Sequence, residues 1–249
     1  MELRAELEKR LMARIDPGLA DMLDAPFAGD WKPLTAEETG VLLATVSIQL
    51  AMKGCDAPWP LAHETLALRG VSLPSHGRAV YVDAVLRDRA GGLGRAGFVV
   101  RDEGVTPLDT SSAPIHDFNT ACPPDLTDRE AAFAYLRLFC WTVCGEEGPF
   151  CIIEERNQLP AESRLGTLPA APLEARRVEP SMKADDILWE VDGFVLYGSA
   201  LFGATFQLAA DGQIEMTDDN PIAELMLAPP GWRMAGHVKY LVPAGETPC

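Results

Sequence analysis

No window of the 249-residue chain approaches the ~18 to 20 uninterrupted apolar residues that a bilayer-spanning helix needs. The longest candidate, Val41 to Met52, is short and broken by Thr45, Ser47 and Gln49, and reads as a core helix. Positive charge is also scarce: 21 Lys and Arg stand against 37 Asp and Glu, a net charge of −16. That balance argues against nucleic acid or an anionic membrane as partner, because both are held by neutralising phosphates with Lys and Arg. The N-terminus, Met1-Glu2-Leu3-Arg4, mixes charges at once and has no apolar leader core, so a cytoplasmic location is expected.

Cysteine is sparse and irregular. The six thiols, Cys55, Cys122, Cys140, Cys144, Cys151 and Cys249, lack the density of a disulfide framework, and no Cys-x-x-Cys occurs. Reduced thiols, with no metal and no cofactor, are the expectation. Equally missing are a phosphate-binding Gly-x-x-x-x-Gly-Lys-Ser/Thr loop, a Gly-x-Gly-x-x-Gly turn, His-Glu-x-x-His and Gly-x-Ser-x-Gly. These absences disfavour the common nucleotide-binding, zinc-protease and serine-hydrolase classes.

What is present is enough apolar residue, 47% of the chain, to bury a large core. Leu3, Leu7 and Leu11 recur every four residues and predict an amphipathic helix over 2–15. Thr35 with Glu38, and Thr127 with Glu130, have capping-box spacing, followed by apolar runs that reach Gly54 and Gly145. A short helix is expected over 61–69. The Thr127 helix is apolar nearly all round and should be the central buried element, with Phe139 as a core anchor and Arg137 snorkelling or paired with a carboxylate.

Strand signals occupy Arg78 to Arg87, Ala96 to Arg101, Val105 to Leu108, Phe150 to Ile153, Trp189 to Val191, Phe194 to Tyr197, Leu201 to Ala209, Gln213 to Met216 and Trp232 to Val242. Asp211-Gly212 reads as a tight hairpin turn. Early helices and hairpin-linked strands predict an α+β fold with a largely antiparallel sheet covered on one face by helices. We expect a single domain over 1–249, with a helical N-terminal part to about residue 54 and a Pro-bearing excursion or linker at 157–186.

Two places invite a functional reading. His116 and Asp117 lie in a polar stretch, Ser111 to Asn119, able to supply a general base with its orienting acid. Glu146 and Glu147 follow a helix C-terminus, where the helix dipole disfavours acids, so a cation or a raised pKa is one reading and solvent the other. Residues 60–101 form a basic island of arginines, Arg69, Arg78, Arg87, Arg89, Arg95 and Arg101, 6 bases against 3 acids, while 102–249 carry 9 against 24. The island could dock an acidic partner or pair with the chain's own carboxylates. Cys140, Cys144 and Cys151 read as core packing, and Glu215, Asp218, Asp219 and Asn220 form only a weak cation pattern. No catalytic set is complete. The sequence therefore favours a binding or accessory protein that uses protein-protein contacts, with a protein partner or a second copy of itself. The alternative is an enzyme or small-ligand binder with a pocket near His116 and Glu146/Glu147, its ligand unknown.

Overall fold

The computed structural model describes residues 24–52, 63–155, 158–159, 173–178, 186–224, 231–235 and 237–242. The expected helix over 2–15, Cys55, Cys249 and most of the 157–186 excursion lie outside them. Within them the chain runs β1 (Lys32–Pro33), α1 (Ala36–Met52), β2 (His63–Ser72), β3 (Val80–Asp88), β4 (Leu93–Arg101), β5 (Gly104–Leu108), α2 (Ala113–Ala121) and α3 (Arg129–Thr142). It continues through β6 (Cys144–Gly145), β7 (Gly148–Pro149), β8 (Cys151–Ile153), β9 (Glu174–Arg177), β10 (Ile187–Tyr197), β11 (Ala200–Ala209), β12 (Ile214–Glu224), β13 (Gly231–Ala235) and β14 (Val238–Val242).

The fold is α+β with antiparallel pairing throughout two main sheets. One has the order β1-β2-β3-β4-β14-β13, with β5 on the remaining length of the β4 edge. The other has the order β12-β11-β10-β8, with β9 beside β8 along β10. Strand alternation divides the first sheet cleanly. Tyr81 and Val99 face α3, whereas Val82, Ala84, Leu86, Ala96 and Phe98 face α1 through its Leu42 and Val46.

Helix α3 lies between the sheets. Its Tyr135, Leu138 and Trp141 pack toward the first, while Ala132, Leu136 and Cys140, spaced by four, meet Val191, Val195 and Phe206 of the second. From Ala131 to Thr142 no residue of the helix is exposed, so it has no wet face, as its composition implied. The single charge in its middle, Arg137, is answered by Glu154 just beyond β8, with two hydrogen bonds of 2.6 Å.

Local chemistry sets the helix starts. At α1 the Thr35–Glu38 box forms as expected: Thr35 N–H donates to Glu38 Oε2 at 2.7 Å and Glu38 N–H to Thr35 Oγ1 at 3.2 Å. The Thr127–Glu130 box does not form. Asp128 is the N-cap of α3, accepting from Glu130 N–H and Ala131 N–H, and Thr127 bonds Asp125 instead. A carboxylate at the N-cap also complements the positive helix end, so Asp outcompetes the neighbouring hydroxyl.

Other boundaries move for related reasons. Val143 is already extended, so α3 closes without a glycine C-cap; Cys144 and Gly145 enter β6, and Cys140 and Cys144 do not share a helix face. The helix expected over 61–69 is strand β2, because nine residue pairs with β3 override a marginal local preference. Ser111 to Asn119 is mostly helix α2, not loop. β10 runs through what read as two strands, 232–242 holds two strands, and the Pro-bearing excursion contributes β9.

Candidate functional site

Between α1 and the outer face of the first sheet lies a groove of about 680 Å³. Its floor is apolar: Val80, Val82, Val100 and Val105 from the strands, Leu34 before the helix, and Val41 and Leu42 on it. Gly70 keeps the floor open, since a Cβ there would sit 2.9 Å from Val80 Cγ1 and 3.5 Å from Leu34 Cδ1. The lining carries five carboxylates, Asp30, Glu37, Glu38, Asp102 and Glu103, against two cations, Lys32 and Arg101.

Those acids reach the rim for identifiable reasons. Glu37 and Glu38 occupy the first turn of α1, where a negative charge suits the helix dipole. The Thr35 backbone N–H and hydroxyl both donate to Glu38, which holds its carboxyl below the usual range. Asp102 and Glu103 form the β4–β5 turn. Lys32 approaches Asp30 at 3.1 Å, Arg78 approaches Asp102 at 3.8 Å and Arg101 approaches Glu103 at 3.5 Å. Such exposed pairs are worth little and exchange readily for another cation.

Helix α1 does not hide all its apolar residues. Leu42 and Val46 are buried on the sheet, but Val41, Ile48 and Met52 are 64%, 62% and 83% exposed. The spacing of 7 and 4 residues puts the three on one stripe, continuous with the groove through Val41.

The proposed basic island separates into two populations. Arg69 and Arg95 turn inward to the buried Asp83, at 2.9 and 3.7 Å, and both donate to the Asp24 carbonyl. Arg87 pairs with Glu64 at 3.1 Å, Arg101 lines the groove, Arg78 approaches Asp102 of its lining, and Arg89 is exposed. These six do not form one face.

His116 is half-buried in α2 against the Phe139 ring, 6.1 Å between centroids, and Asp117 beside it is exposed. Glu146 and Glu147 are exposed in the β6–β7 turn, where the Glu147 N–H donates to Tyr197 Oη at 3.0 Å. No hydrogen bond or ion pair among the described residues joins His116 or Asp117 to either glutamate, and none of the four lines the groove. Glu215, Asp218 and Asp219 are strung along β12, and the described residues contain no group of three or more His, Cys, Asp or Glu placed to hold a metal.

Sequence reasoning missed a buried polar centre. Lys239 of β14 faces Arg95 in register, donates to the Trp141 carbonyl at 2.5 Å and lies 4.3 Å from that ring's centroid. Burial pulls its pKa down, against nearby Asp83 and Cys144. The same burial pushes the Cys144 thiol up and the Cys151 thiol up to about 11. The centre packs α3 onto the first sheet. The lysine gave no signal in the sequence, since alternation alone places it in a strand without saying what faces it.

No family model, curated protein or solved structure matches the chain. The groove is accordingly read from its own chemistry.

Proposed function

We propose that this is a cytoplasmic binding or accessory protein that docks a protein partner in the groove between α1 and the first sheet. The observation that carries this reading is the helix itself, which is apolar toward the sheet and apolar again toward solvent at Val41, Ile48 and Met52. A helix hydrophobic on both sides belongs between two layers, and an exposed apolar patch beside a groove is where protein partners bind. Groove size alone would suit a small molecule, yet the apolar stripe continues along α1 beyond the groove, which a small molecule would leave wet.

The test compares the native chain with V41E/I48E, two exposed positions whose change should leave the melting temperature within about 1–2 °C. A protein retained from cell extract should be retained by the native chain only, and after purification should bind it directly and fail to bind the double variant. Equal binding to both chains, or binding lost instead in H116A or E146Q, would transfer the site to the α2 and β6–β7 surface.

A further inference from the structure

We infer that the segment filling this groove is a basic amphipathic helix of the partner. The inference rests on the docking reading above and adds the chemistry of what docks. Three observations converge on it.

The first is length and shape. Val41 to Met52 is twelve residues, so its ends stand about 16 Å apart along a helix axis, with the groove floor running beside its first half. A stripe of side chains seven and four apart is the ridge against which a second helix packs, inserting its own side chains every three or four residues. Three turns of helix cover that length.

The second is charge. Carboxylates outnumber cations five to two around an apolar floor, and three of those carboxylates pair with a cation while staying exposed themselves. A partner with Lys or Arg flanking its apolar face meets Asp30 before β1, Glu37 and Glu38 at the start of α1, and Asp102 and Glu103 at the β4–β5 turn. Opposed potentials of this kind speed encounter and set which partner is accepted.

The third weighs against the simplest alternative, a second copy. Face-to-face pairing of this surface would bring ten carboxylates together around one apolar seam, in a protein of net charge −16. Like charges so placed are unfavourable.

The experiment uses the full chain and three synthetic 18-residue helical peptides sharing one Leu/Ala apolar face, with every polar position Lys, Gln or Glu. Binding is measured by fluorescence anisotropy at two salt concentrations, and the site by the methyl NMR shifts of Val41, Val80, Val100 and Val105. The Lys peptide should bind at least tenfold more tightly than the Gln peptide, shift those methyls, and weaken several-fold in high salt. E37Q/D102N should reduce its affinity several-fold. The Glu peptide should not bind.

Equal affinity for all three peptides with shifts in the groove would leave the docking reading standing and overturn the basic-helix inference. Shifts elsewhere with the Lys peptide, or none in the groove with any peptide, would overturn both. A dimer of the protein alone in sedimentation velocity, dissociated by I48E, would assign the surface to a second copy. A peptide of residues 2–15 producing the groove shifts more tightly than the Lys peptide would assign it to the chain's own N-terminal segment. Either result overturns the inference.

Discussion

Tyr135 donates its phenol proton to the Gly212 carbonyl at 2.6 Å, joining the middle of α3 to the β11–β12 turn. The phenol oxygen in turn accepts from Asn119 Nδ2 at 2.7 Å, and Asn119 Oδ1 lies 3.1 Å from His76 Nε2, whose Nδ1 is 2.9 Å from Ser75 Oγ. With His76 neutral and protonated on Nε2, each group donates to the next, from Ser75 to Gly212. This buried chain connects the first sheet, both of the later helices and the second sheet.

Tyr135→Phe should therefore destabilise more than loss of one exposed hydroxyl would. It strands a buried carbonyl and a buried amide, an expected cost of roughly 1–3 kcal/mol. Urea unfolding followed by tryptophan fluorescence measures it; a cost below half a kcal/mol would mean water replaces the phenol.

Gly212 has φ +83, and a Cβ there would fall 2.4 Å from Asn119 Nδ2 and 2.9 Å from Tyr135 Oη. Gly212→Ala should be destabilising by both strain and crowding, and Gly212→Val more so. Thermal melts check this. If the effect is strain alone, the double variant G212A/N119A will gain nothing over G212A.

Burial holds the pKa of His76 below its usual value, and Arg101 adds to the shift. The folded state thus prefers the neutral ring and the unfolded chain takes the proton more readily. Stability from this residue is complete above the ordinary histidine pKa of about 6.5 and declines as pH falls below it, by at most about 1.4 kcal/mol per unit, until the folded pKa is reached. His63 is shifted in the same direction by burial, with Asp88 opposing. Urea midpoints from pH 7.5 to 5 should fall less steeply in H76Q than in the native chain.

Leu136 is fully buried between α3 and the second sheet, and Leu136→Ala should cost about 2–5 kcal/mol. Phe139, which the sequence marks as an anchor, is only partly buried against His116 and Tyr135, so Phe139→Ala should cost less. Denaturant titration of both variants ranks them; the reverse order would displace α3 from the centre of the fold.

Arg137 and Glu154 are mostly buried and bonded twice. Either R137M or E154Q alone should destabilise by a few kcal/mol, because the remaining charge is left without its partner, while the double variant recovers part of the loss. A double-mutant cycle reads the coupling, and additive losses would show that solvent already screens the pair.

How much of this was legible in advance varies with the kind of signal. The Thr35–Glu38 box, the Gly212 turn, the β3–β4 hairpin and the central position of α3 rest on local rules: capping geometry, positive φ and an apolar circumference. Those are fixed by residues within a few positions of each other, so the sequence by itself determined them and with them the α+β class. Strand β2, helix α2 and the use of Asp128 over Thr127 depended on competition between partners, which propensity does not rank.

The candidate site belonged wholly to the tertiary level. Val41, Ile48 and Met52 read as core because they are apolar, and only the packing of Leu42 and Val46 on the sheet reveals which side of α1 is left uncovered. The arginines read as one island because they are close in the chain, yet Arg69 and Arg95 turn inward to the buried Asp83, while Arg78, just before β3, and Arg87, at the far end of β3, are more exposed. Composition and local pattern determine which residues can be buried; which faces meet, and so which apolar residues remain for a partner, is decided by contacts between residues far apart in sequence.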